Sequence, residues 1–110
     1  MIGEWIMSDY DSRRFRLMLS VLGAFDERAI GLGKAIADLE VLFRSLRDTA
    51  EAWTGVFYKQ WAILEEIYAV ALDRGFSQLP PGDQKLVEGV MRTLRQLVQE
   101  RIDATADAEK

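Results

Sequence analysis

The sequence predicts an all-α fold, a compact antiparallel bundle of about four helices with a long central third helix. Apolar residues recur three or four apart along most of the chain, the repeat of one helix face. No stretch alternates apolar and polar residues with the period of two that a half-buried strand requires. The breaks between periodic stretches are short and polar or glycine-bearing, and the only prolines, Pro80 and Pro81, are adjacent. With 110 residues the chain has the size of one domain around one core.

Residues 1–11 are expected to be an extended segment. The first helix should run from about Arg13 to Phe25, with Asp11 or Ser12 offering an N-cap oxygen and Phe15, Met18, Leu22 and Phe25 on one face. Asp26-Glu27-Arg28 reads as a polar break. The second helix should span about Leu32 to Leu46. Its residues Leu32, Ile36, Leu39, Phe43 and Leu46 are spaced 4-3-4-3, as in a seam packed between helices. Gly31 and Gly33 are expected to loosen its start.

Asp48-Thr49 should cap a third helix from about Ala50 to Arg74, the longest element. Its apolar residues, from Trp53 through Phe57, Trp61 and Leu64 to Leu72, cover more than half of its circumference. That width predicts burial against more than one neighbour. Trp53 and Trp61 should be core, whereas Trp5 should either pin the amino terminus or lie at an interface. Gly75 is placed to end the helix in a left-handed conformation. After the loop around Pro80-Pro81, Asp83 should cap a fourth helix from about Gln84 to Asp103, and residues 104–110 should fray.

The functional classes narrow by elimination. The chain has neither histidine nor cysteine. It therefore lacks the commonest general base, the commonest nucleophile–base pairs and the usual zinc ligands. Asp9 and Asp11 have the alternate spacing of a calcium loop, but Arg13 follows and the glycine is missing. Gly31-Leu32-Gly33-Lys34 fails as a P-loop, because Ala35 stands where Ser or Thr is needed and Arg28 where the first glycine belongs. No cofactor, metal or enzymatic activity is expected. No apolar run approaches the roughly 18 residues of a membrane span. No basic segment precedes a hydrophobic one at the amino terminus, so the expected compartment is the cytoplasm.

Net charge is −4, unfavourable for holding a phosphate backbone, so no nucleic acid or membrane partner is expected. Residues 1–50 carry seven basic and eight acidic residues, and residues 51–110 carry seven and ten. The cluster Arg13, Arg14 and Arg16 reads as a solvated helix face. On the third helix, Glu65, Glu66 and Asp73, with Tyr58 and Tyr68 at the edge, form the candidate partner-binding face.

Three pieces of the chain carry a resemblance: Ile36-Ala37-Asp38-Leu39-Glu40 with Leu46; Trp53, Phe57 and Trp61 running into Leu64-Glu65-Glu66 and Tyr68-Ala69; and Leu79 with Asp83 and the helix after it. From Leu32 onward the chain resembles a family of small uncharacterised bacterial all-α proteins, of a size and charge that recur among toxin-immunity proteins. The resemblance implies a helical fold and carries no catalytic or binding residue onto this sequence. The expected function is a cytoplasmic interaction domain, an immunity or antitoxin-type inhibitor of a basic protein toxin. The alternative is a self-associating bundle, a homodimer or a small subunit of a larger assembly.

Overall fold

A computed structural model describes the backbone of residues 2–108 and the side chains of residues 9–104. Four helices follow one another: α1 (Ile2–Asp26), α2 (Leu32–Arg44), α3 (Glu51–Asp73) and α4 (Pro81–Ala108). They form an all-α, antiparallel ring. α1 packs on α2 and α4, and α3 packs on the same two, while the diagonal pairs do not approach at the backbone. α3 thus lies between two neighbours, as its wide apolar stripe requires, although α1 and α4 are longer.

The buried core runs down the middle of the ring. Phe15, Met18 and Leu22 enter from α1, Leu39 from α2, Phe57, Trp61 and Leu64 from α3, and Leu94 and Val98 from α4. Trp61, only 1% exposed, is a core anchor as expected, and its indole N–H donates to the Ile36 carbonyl on α2 at 3.0 Å. Half-buried Trp53 does the same on the other side, donating to the Leu97 carbonyl on α4 at 3.2 Å. Its ring stacks on Phe57 at 5.2 Å and meets Phe15 edge-on at 5.3 Å. Large apolar rings with one polar edge suit this position: they fill the ring's interior and tie α3 to both flanking helices.

The amino-terminal segment expected to be extended is helical from Ile2, and Asp11 lies within α1 and does not cap it. Asp11 is 4% exposed and faces the α2–α3 loop. Its carboxylate accepts the Arg47 and Asp48 amide hydrogens at 2.9 and 2.8 Å and the Thr49 hydroxyl at 2.9 Å. The helix can therefore continue past it toward Ile2. Asp48 and Thr49, in turn, do not cap α3, whose N-cap is Ala50 with no side-chain bond. The Trp5 side chain lies outside the described residues.

α4 also starts earlier than expected. Pro81 occupies its first position, where a missing N–H costs nothing, and the Gln84 amide closes the turn onto the Pro80 carbonyl at 2.9 Å. Asp83 falls inside the first turn, where its charge suits the helix dipole. At the other end α4 continues to Ala108. Gly33 lies inside α2 for a spatial reason: a methyl there would come 2.5 Å from the Tyr68 hydroxyl oxygen. Gly75 ends α3 with φ 69°, as expected.

Candidate partner-binding face

On a helix, residues three and four apart are neighbours along the surface. The acids of α3 have apolar neighbours at these distances. Glu65 has Trp61 and Ala69 four residues away, Glu66 has Ala62 and Val70, and Asp73 has Ala69. Elsewhere the pattern supplies mates: Arg13 pairs with Asp9, Lys34 with Asp38 and Arg44 with Glu40, each four residues apart. Glu65, Glu66 and Asp73 are all exposed, and none makes an ion pair among the described residues.

Glu66 and Asp73, seven residues apart, share the outward side, and Glu65 is turned about 100° away from Glu66. Lys59 and Arg74, both exposed, stand at the two ends of this stretch. The ground between the charges is apolar, with Val70 44% and Leu72 61% exposed.

The two tyrosines part company. Tyr58 is exposed beside the face, with its ring tilted against Trp61 at 5.6 Å and edge-on to Phe43 at 6.1 Å. These contacts fix the ring and leave its rim to solvent. Tyr68 is half-buried and turned toward α2, in the notch that Gly33 leaves. The structure thus gathers Glu66 and Asp73 with exposed Val70, sets Glu65 and Tyr58 on the adjoining side, and directs Tyr68 inward.

Two arrangements were not legible in the sequence. In the amino-terminal half of α1, Tyr10 is held by two guanidinium groups. Arg14 donates to its hydroxyl at 2.9 Å and to the Ser45 hydroxyl at 3.1 Å, and the Arg47 guanidinium lies over the Tyr10 ring, 4.0 Å from its centre. The Arg14 hydrogen bond outweighs the opposing effect of desolvation and, with the charges of Arg14 and Arg47, holds the Tyr10 phenol below its ordinary value of 10.0. Arg14 had read as one member of a solvated cluster; the residues that organise it, Ser45 and Arg47, lie more than thirty positions away.

The second arrangement is a cleft of about 510 Å³ where the α1–α2 loop meets the start of α4. Arg28 on its wall has φ 62°, a conformation that residues with side chains seldom adopt. No sequence pattern marks such a residue.

No helix among the described residues is long and apolar enough to cross a membrane. Compared with known protein families, curated proteins and solved structures, the chain matches none. The surface itself must carry the functional reading.

Proposed function

We propose that this domain is a non-enzymatic interaction protein, an immunity or antitoxin-type inhibitor in the bacterial cytoplasm, whose α3 face engages a basic protein. The observation that carries this reading is the set of exposed acids Glu65, Glu66 and Asp73, without an ion pair among the described residues, beside exposed Val70 and Leu72. Charges with no ion pair among the described residues have none to break when a partner's Lys or Arg arrives, and they steer a basic partner toward the face before contact. The apolar ground supplies area to bury once the partner docks. α3 is held on both sides through Trp53 and Trp61, so little ordering is needed on binding.

A self-associating bundle is the second reading. It is favoured by Val56 and Val70 on α3 and Leu86 on α4, each between 44% and 49% exposed. Trp53 is half-buried and Phe57 fully buried, so changing them tests the core and not a dimer surface.

Sedimentation of the purified protein and binding kinetics of Glu66→Lys/Asp73→Lys separate the two readings. The inhibitor reading expects a monomer whose double variant melts like the parent, because exposed charges contribute little to stability. It also expects the variant to associate more slowly with the basic protein recovered from the native host, with a difference that shrinks as salt is raised. A tight dimer indifferent to both charges would overturn it.

A further inference from the structure

Two helices of this protein end in the same closure. After α1, the Ala29 amide reaches back to the Ala24 carbonyl at 2.8 Å and the Arg28 amide to Phe25 at 3.0 Å. After α3, the Phe76 amide reaches the Ala71 carbonyl at 2.9 Å and the Gly75 amide reaches Leu72 at 3.1 Å. The pivot residue has φ 62° in the first and 69° in the second. Glycine is the favoured occupant of such a pivot, and α3 has it. α1 has Arg28, whose Cβ makes the conformation unfavourable. Beyond the two backbone bonds of the closure, the Arg28 side chain gives nothing back: it is exposed and makes no ion pair or side-chain hydrogen bond among the described residues.

What Arg28 does reach is the cleft. Phe25, Ile30, Leu79 and Val87 give it an apolar floor, and Arg28, Asp26 and Glu88 stand on its walls. A second lobe of about 280 Å³ continues it along α4, sharing Phe25, Asp26 and Glu88 and reaching Arg92 and Arg95. Asp26 and Arg95 are already paired with each other. Over the two lobes together, Arg28 and Arg92 are then left against Glu88, an excess of one positive charge in a protein that is negative overall. Gly31, the N-cap of α2, also lines the cleft. The volume lies in the range of small-molecule sites, roughly 300–1,000 Å³.

We propose that this cleft binds a small amphiphilic carboxylate, with its head on Arg28 and a short hydrocarbon tail on Phe25, Ile30, Leu79 and Val87. The site is separate from the α3 face and does not depend on its role. A disfavoured side chain at a ligand site follows the usual exchange of stability for binding.

The test uses octanoate as probe, with octanol as a neutral tail of the same length, followed by amide chemical shifts. Octanoate should bind saturably, with shifts centred on Phe25, Ile30 and Val87, and more tightly than octanol. Arg28→Gly should weaken octanoate about fivefold, the scale of one partly exposed charge contact, leave octanol unchanged, and raise Tm by about 4 °C as the pivot relaxes. Leu79→Ser, on the floor, should weaken both probes. Octanoate that fails to saturate, that shifts residues elsewhere, or that binds Arg28→Gly as tightly as the parent would overturn the proposal. So would equal loss of both probes in Arg28→Gly, because that would place the effect in the shape of the cleft and not in the charge.

Discussion

The Asp11 carboxylate on α1 accepts the backbone amide of Asp48, thirty-seven residues later, at 2.8 Å. Two acidic residues are thereby neighbours, one serving the other's main chain. The same carboxylate holds the Arg47 amide and the Thr49 hydroxyl, so one side chain organises the whole turn between α2 and α3. Asp11→Ala should cost about 2–4 kcal/mol, since hydrogen bonds to a charged group are worth about 1.5–3 kcal/mol each and water can replace part of them at the loop. Urea denaturation measures this. A loss below about 0.5 kcal/mol, the scale of an ordinary surface change, would mean that the loop holds itself.

Trp61→Ala should cost about 3–5 kcal/mol, because it empties the middle of the ring. Trp61→Phe keeps most of the volume but loses the bond to the Ile36 carbonyl, and about 1–2 kcal/mol should go with it. Thermal melts of the two variants give the comparison. Equal losses would mean that the indole nitrogen, not the packing, is what matters at this position.

Gly33→Ala should be destabilising by about 1 kcal/mol even though alanine is the better helix former by a similar amount. The new methyl would force the Tyr68 ring out of its notch. In a Tyr68→Ala background the sign should reverse and Gly33→Ala should stabilise α2. A double-mutant cycle reads the coupling directly, and additivity would show that the ring and the glycine are independent.

Tyr10 makes a prediction about pH. Its phenol titrates below 10.0 in the folded chain because Arg14 donates to it and Arg14 and Arg47 supply positive charge. In the unfolded chain these groups disperse, so between the folded value and 10.0 the unfolded state binds more protons. Stability from this group therefore rises with pH across that window and is lost as pH falls through the folded value. Tyrosinate absorbance should show a component below 10.0 that vanishes in Tyr10→Phe. A titration curve untouched by the substitution would refute the assignment.

The helices were legible wherever periodicity was long. Leu32 to Phe43 and Trp53 to Leu64 repeat the core face without interruption, and both stretches are helical with that face inward. Ends were less legible because a capping residue type says what a side chain can accept, not whose amide it accepts. Asp11 is as good an acceptor for a loop thirty-seven residues later as for its own helix. Pro80-Pro81 marked a boundary, but helical geometry needs only one of them outside, so α4 begins at the second. At the α3 face, the exposure of Glu65, Glu66 and Asp73 followed from the helical repeat, as did the want of basic mates four residues away. The inward turn of Tyr68 depends on Gly33 across the interface and has no local signal. Arg28 is the extreme case, since a polar break was visible while its left-handed backbone was not.

The ring is closed by its first and last helices, and the α1–α4 contact is its most extensive. During synthesis, α1 leaves the ribosome with Phe15, Met18 and Leu22 ready for burial, and α2 can shield only one flank. The other flank stays uncovered until residues 81–108 have been made, and at roughly 5–20 residues per second that wait lasts seconds. Until α4 has been made, Phe15, Met18 and Leu22 lack the cover of one of their two neighbouring helices. A chain truncated before α4 would expose one flank of this core face to other chains.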